Sequence, residues 1–183
     1  MSLQKKRIGV LALGQLPAQA LDIISSQIKD HLDVMPRILP ALDNPEYAFN
    51  DKRFQYDAGI VIDALESMQF NDVEKVIGVM DMDLFIPIFT HVYGEARQGG
   101  TCAVVSLFRL KESTDGAVPP AVLIYKRAAK VALHELGHLF NLLHCENKEC
   151  LMHFSGCVKE LDDSSSALCE YCAIFLQDKL RHR

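Results

Sequence analysis

Residues 134–145 of the chain read His134-Glu135-Leu136-Gly137-His138-Leu139-Phe140-Asn141-Leu142-Leu143-His144-Cys145. This stretch decides the fold, because it predicts both the end of a long helix and a cluster of metal ligands. Two histidines four residues apart lie on the same face of a helix, close enough to bind one ion. Neutral imidazole is a good zinc ligand. Glu135 follows the first histidine, so its carboxylate can reach a water on the metal without itself being a ligand.

His144 is the predicted third ligand. On a continuous helix, the six residues that separate it from His138 correspond to a rotation of about 240°, so the helix must end between them. Asn141 suits that end, because asparagine tolerates the left-handed conformation that commonly terminates helices. Three histidine ligands leave a fourth position open for water, which is typical of a catalytic zinc site. Glu135 would then act as general base and pass the proton to a leaving amine, which predicts hydrolysis of an amide bond.

The chain upstream of this stretch alternates between strand and helix patterns. Strands are predicted at 7–13, 34–39, 76–80 and 101–110, with helices at 17–31, 56–68 and 120–140 and a possible short strand around Val92-Tyr93. This order predicts an α/β fold with a mixed twisted sheet and an active-site helix. We interpret residues 1–183 as a single compact domain, with 1–141 forming the sheet-and-helix part and 142–183 a C-terminal part stapled by zinc.

Four cysteines form two close pairs in this C-terminal part. Cys145 and Cys150 are followed by Cys169 and Cys172, a spacing that fits a closed four-thiolate zinc site. Two disulfides are the alternative, although a reducing compartment disfavours them. The other two cysteines, Cys102 and Cys157, are expected to be free and buried.

With these residues in place, the chain resembles the archaemetzincins, a branch of the metzincin metallopeptidases. The resemblance rests on His134-Glu135-x-x-His138-x-x-Asn141-x-x-His144-Cys145, on Cys150-Leu151-Met152 and on Cys169-Glu170-Tyr171-Cys172. It implies a metzincin-like domain that hydrolyses peptide bonds, with one zinc on the three histidines, Glu135 as general base and a second zinc on the four cysteines.

Three further expectations follow from the resemblance. Met152 would be the methionine of the Met-turn beneath the catalytic metal, although on the residues alone it could equally be plain core. The Val92 to Ala96 stretch would be an edge strand that binds substrate backbone, or else an ordinary loop. Metzincins typically have glycine where this chain has Asn141, and this departure bears on the geometry at His144, and with it on activity and metal affinity.

Composition bounds the partners and the location of the protein. The formal net charge is −5 and the only short basic run is Lys5-Lys6-Arg7, so nothing indicates nucleic acid binding. No segment approaches the roughly 20 apolar residues of a membrane span, and the N-terminal apolar stretch is too short and interrupted for a signal peptide. We therefore predict a cytoplasmic location. A monomer is the default expectation, and the resemblance implies a peptide or protein substrate.

Two other functions remain open at this point. One is a two-zinc binding or scaffold protein with little or no turnover, although such a protein has no need of Glu135. The other is a zinc hydrolase acting on a non-peptide amide, because the sequence does not define the substrate pocket. Zinc itself, as opposed to iron or cobalt, is inferred from the type of ligand.

Overall fold

The computed structural model describes residues 7–113 and 116–181, and the basic residues Lys5 and Lys6 lie outside these ranges. Within them the strands, in chain order, are β1 (Arg7–Ala12), β2 (Met35–Ile38), β3 (Phe49–Asn50), β4 (Gln55–Asp57), β5 (Lys75–Met80), β6 (Leu84–Phe85), β7 (Gly94–Ala96) and β8 (Cys102–Ser106). The helices are α1 (Ala18–His31), α2 (Ala58–Ser67), α3 (Ala121–Leu139), α4 (Val158–Asp163) and α5 (Glu170–Arg181).

A five-stranded mixed sheet forms the centre of the molecule, in the order β2-β1-β5-β8-β7. The first four strands run parallel, and β7 pairs antiparallel with β8 at one edge. Strands β1, β5 and β8 are buried along almost their whole length, as expected for parallel strands that are covered on both faces. The α/β class with a mixed sheet, predicted from the sequence, is confirmed.

Helices cover both faces of this sheet. Helices α1 and α3 pack against one face, where Ile24, Ile28, Leu133 and Leu136 join a single core with Val105. Helix α2 covers the other face in a second, smaller core. Its start is fixed by Asp57, whose side chain accepts hydrogen bonds from the backbone N–H groups of the first turn.

A second, three-stranded sheet of order β3-β4-β6 was not predicted from the sequence. Its strands have two or three residues each, which is too short to show the alternation of a strand. The predicted strand 101–110 is likewise shorter than expected. It ends at Ser106, and Arg109–Lys111 form a 3₁₀ turn.

The part beyond α3 contains α4 and α5, neither of which was predicted. Helix α4 has only six residues, so it shows little periodicity. Cys157 stands at its N-cap and is exposed, so the expectation that this thiol is buried was wrong, whereas Cys102 is buried as expected. Across the described ranges, no helix is both long and apolar enough to cross a membrane.

Candidate metal centres and cleft

The end of α3 sets the position of the third histidine. Asn141 has φ 70°, which is the left-handed conformation, and its backbone N–H donates to the carbonyl of His138 at 2.9 Å. The N–H of Leu142 donates back to Gly137 at 2.9 Å, which completes the pattern of hydrogen bonds that commonly ends a helix. The structure therefore has the predicted turn, and the chain folds back towards α3.

The three histidines converge as a result. Nε2 of His138 lies 3.1 Å from Nε2 of His134 and 3.2 Å from Nε2 of His144. Two of the rings are held from behind, because Nδ1 of His134 donates to the carbonyl of Leu151 and Nδ1 of His138 donates to that of Leu142, both at 2.8 Å. A carbonyl only accepts, so in both rings Nδ1 bears the proton and Nε2 presents a lone pair to the centre.

This arrangement fits a zinc ion. Lone pairs that face one another at 3.1 Å repel unless a cation lies between them, and bonds of about 2.0–2.1 Å in a tetrahedron hold their ligand atoms roughly 3.3 Å apart. Burial, together with the neighbouring histidines, lowers the pKa of His134 to about 4. Burial also lowers the pKa values of His138 and His144. All three rings are therefore neutral near pH 7, which is the form that binds metal.

Glu135 is the buried carboxyl beside these rings. Burial, followed by repulsion from Glu95, raises the pKa of Glu135 well above its usual value. A carboxyl with a raised pKa accepts a proton readily near neutral pH, as a general base must. Its position depends on Gly94 of β7, because a Cβ at that residue would lie 3.0 Å from Glu135 Oε1.

Met152 packs against α3 at Gly137, which lies between His134 and His138 in the chain. It is fully buried, and its thioether contacts Gly137, the α3 residue just before His138, where no side chain could fit. The carbonyl of Met152 accepts a hydrogen bond from the N–H of Cys145 at 2.9 Å, which connects the methionine to the residue after His144. The methionine thus packs as part of the floor of the histidine site.

The four cysteines form a second cluster, next to the first in sequence. The sulfurs of Cys145, Cys150, Cys169 and Cys172 all lie within 4.8 Å of one another. Sγ of Cys145 and Sγ of Cys169 are 3.8 Å apart, and four thiolates around zinc at about 2.3 Å lie roughly 3.8 Å from each other. Four sulfurs that all lie close to one another fit a single metal ion better than they fit two disulfide bonds. The arrangement therefore does not favour the disulfide alternative.

Backbone N–H groups support thiolates in this cluster. Sγ of Cys150 accepts from the N–H groups of Met152 and Cys169, at 3.5 and 3.3 Å. The backbone N–H of Cys172 is the main cause that lowers the pKa of Cys169 to about 7. Cys145 directly follows His144, so the cluster begins at the residue next to the exposed third histidine.

A cleft of about 560 Å³ runs past the three histidines. One wall is the segment that leads into the edge strand β7, and the other consists of residues between Leu151 and Ser164. Phe89 and Phe154 face each other across it, with ring centroids 6.1 Å apart, and Phe154 also contacts the His144 ring at 5.6 Å. This aromatic pair was not predicted from the sequence, because both residues lie in irregular segments without periodicity.

Comparisons with known proteins show similarity in both sequence and fold. The model of peptidase family M54 matches residues 19–178. The archaemetzincin of Methanocaldococcus jannaschii is 32% identical over 173 residues, which is 94% of each chain, and that of Pyrococcus horikoshii is 38% identical over 136 residues, or 73% of this chain and 72% of the other. The crystal structure of the Methanopyrus kandleri archaemetzincin superposes with a TM-score of 0.85 at 31% identity and covers 97% of both chains.

Proposed function

This chain belongs to peptidase family M54 and is a zinc-dependent metallopeptidase, and on that premise we propose that His134, His138 and His144 hold its catalytic zinc while Glu135 is its general base. The observation that carries the proposal is the convergence of three Nε2 atoms beside one buried carboxyl. The glutamate argues against a protein that only binds zinc, because a binding site has no use for a buried base next to its ligands.

The mechanism assigns a separate task to each group. His134, His138 and His144 would hold the zinc ion, which when bound would supply a water of lowered pKa and polarisation of the substrate carbonyl. Glu135 accepts the proton of the attacking water and then donates it to the nitrogen of the leaving amine. The carbonyls of Leu151 and Leu142 keep two of the imidazoles in the tautomer that binds metal. No covalent intermediate with the protein is required.

A second zinc on Cys145, Cys150, Cys169 and Cys172 is also part of the proposal. The sulfur spacing and the N–H···S contacts support it. These four ligands leave no open position, so this ion would be structural. Its role would be to join α5 to the turn that presents His144. Separately, we assign Met152 the supporting role of a Met-turn methionine.

The edge strand β7 is the proposed docking site for the substrate backbone. It pairs with β8 on one side, and its other side borders the cleft. A substrate in extended conformation would add to this edge as an antiparallel strand, and the missing side chain of Gly94 would let it approach Glu135 closely. We retain the sequence-based expectations of one domain, a monomer and a cytoplasmic location as part of the same proposal.

Replacement of the proposed base tests the mechanism. Glu135→Ala is expected to abolish hydrolysis of a peptide mixture while the zinc content stays at the wild-type value, because the glutamate is not a ligand. Elemental analysis of freshly purified protein measures zinc, and mass spectrometry of the peptides measures hydrolysis. Equal cleavage by wild-type and variant protein would refute the role of Glu135.

Zinc stoichiometry tests the two metal sites separately. We expect two zinc ions per chain in the wild-type protein, one in His138→Ala and one in Cys172→Ser. A wild-type value of one that is unchanged in His138→Ala would leave only the cysteine site filled and would favour a binding or scaffold protein. Protein that is folded and metal-free, although it was never exposed to a chelator, would contradict both sites.

A further inference from the structure

Lys130 lines the cleft one helical turn before His134, on the side of the residues between Leu151 and Ser164. Its Nζ donates to the carbonyls of Leu161 and Ser164, at 2.6 and 2.7 Å. Both of these residues also line the cleft, so the ammonium group lies in the cleft wall. Four residues of helix correspond to about 6 Å, which places this wall within reach of a substrate side chain next to the scissile bond.

The ammonium retains donor capacity for a ligand. It has three N–H donors, and the two carbonyls take two of them. The carboxylates nearest in sequence to these carbonyls have other partners, since Asp162 pairs with Arg127 and Asp163 with Lys159. Burial lowers the pKa of Lys130, with Asp162 and Asp163 acting in the opposite direction, so a carboxylate from a ligand would recover part of the lost solvation.

The course of β7 along α3 shows which substrate residue meets this wall. At the start of β7, a Cβ on Gly94 would lie 2.7 Å from Val131. Just beyond its end, the N–H of Gly99 donates to the carbonyl of His138. The strand therefore runs in the same direction as α3, and a substrate antiparallel to it runs from His138 towards Lys130. The residue that follows the scissile bond is then the one directed to Lys130.

We infer that Lys130 selects substrates with an acidic side chain directly after the scissile bond. A carboxylate there would accept the remaining N–H of the ammonium group in a charge-assisted hydrogen bond, which is stronger than a neutral one. This inference rests on the proposed function, because it uses the three-histidine site to locate the scissile bond and β7 to orient the chain. Lys130 is a specificity residue and takes no part in proton transfer.

A peptide library tests the selection. The experiment compares wild-type protein with Lys130→Met and with the control Lys126→Met, which replaces an exposed lysine on the same helix. Each protein is given peptides that differ only at the position after the cleaved bond. We expect wild type and the control to prefer Asp or Glu over Leu by at least about tenfold in kcat/KM, and Lys130→Met to lose the preference. An equal fall for all peptides would mean that Lys130 only supports the fold, and it would overturn the inference, as would a wild-type enzyme without the preference.

A binding measurement separates this inference from the proposed function. Two peptide hydroxamates, one with a carboxymethyl and one with an isobutyl side chain after the metal-binding group, are titrated calorimetrically into zinc-loaded protein. Tighter binding of the carboxymethyl compound to wild type, with no discrimination by Lys130→Met, supports the inference. Binding of both compounds without discrimination by wild type overturns the inference and leaves the zinc site intact. Failure of both to bind contradicts the catalytic site itself, and the inference with it.

Discussion

At the scale of single residues, Asn141 shows how one backbone conformation determines a metal site. Its φ of 70° ends α3, and its amide side chain packs against Gly99, where a Cβ would come within 2.6 Å of Asn141 Oδ1. Asparagine adopts the left-handed conformation at lower cost than other residues with a side chain. The departure from glycine at this position therefore does not prevent the turn that brings His144 to the other two histidines.

Substitutions at Asn141 test this conclusion. Asn141→Gly is expected to keep the zinc content and to change the free energy of unfolding little, because glycine adopts a positive φ without strain. Asn141→Ala should lower that free energy by about 1 kcal/mol, since alanine has no side-chain group to offset the left-handed conformation. Urea unfolding followed by circular dichroism measures both. An equal loss for glycine and alanine would show that the amide contact with Gly99, which both variants lack, matters more than the backbone conformation.

Gly94 provides a second prediction at the same scale. In Gly94→Ala the new Cβ would lie 2.7 Å from Val131 and 3.0 Å from Glu135, so the general base must move. A displacement of this size at the reacting groups is expected to lower kcat by about a hundredfold. The zinc content should not change, because no ligand is touched. Peptide hydrolysis measures kcat, and elemental analysis measures the zinc content. A variant with full activity would show that the cleft wall accommodates the added methyl group without displacing Glu135.

At the scale of elements, one ion pair holds α4 against α3. The guanidinium of Arg127 is 6% exposed, and it donates two hydrogen bonds to the carboxylate of Asp162, at 2.5 and 2.7 Å. It also donates to the carbonyls of Leu110 and Glu112. Because α4 ends near the carbonyls that hold Lys130, this ion pair also positions one wall of the cleft.

Removal of the Asp162 carboxylate should lower the free energy of unfolding, whereas removal of the neighbouring Asp163 carboxylate should not. Asp162→Ala leaves a buried guanidinium without its charge partner, and we expect the free energy of unfolding to fall by about 2 kcal/mol. The matched control is Asp163→Ala, whose partner Lys159 is exposed, and here we expect no measurable change. Urea unfolding of both variants provides the comparison. Equal effects would show that burial of Arg127 does not strengthen the pair.

At the scale of the whole molecule, the proposed cysteine site connects the start of α5 to the segment that follows α3. The sheet with α1, α2 and α3 supplies most residues of the two cores, whereas α5 contributes one buried residue, Leu176. Metal binding by thiolates contributes directly to folding, because the site does not exist in the unfolded chain. The region beyond α3 should therefore depend on zinc more than the sheet does.

Removal of zinc by a strong chelator tests this dependence. We expect amide hydrogens in residues 142–181 to exchange rapidly in the metal-free protein, while those of β1, β5 and β8 stay protected. Hydrogen exchange followed by mass spectrometry measures both regions. The Cys172→Ser variant should show the same pattern without chelator. Uniform loss of protection, or none, would contradict a stabilising zinc in this region.

The sequence by itself determined the features that depend on short spacing along the chain. Histidines four apart must share a helix face, and a third histidine six further on requires a helix end, which Asn141 provides. The alternation of strands and helices upstream determined the class of fold. These conclusions could be drawn from the residues because helix and strand geometry is local.

Only the tertiary structure decided the features that depend on distant segments meeting. The carbonyl of Leu151 behind the His134 imidazole, the pairing of β4 with β6 in the second sheet and the ion pair that buries Arg127 all join residues far apart in sequence. In the sequence, Lys130 only stands four residues before His134, and it becomes part of the cleft because residues 161–164 fold against it. Side-chain periodicity reports the face on which a residue lies, but the partner on that face is set by the packing of the whole chain.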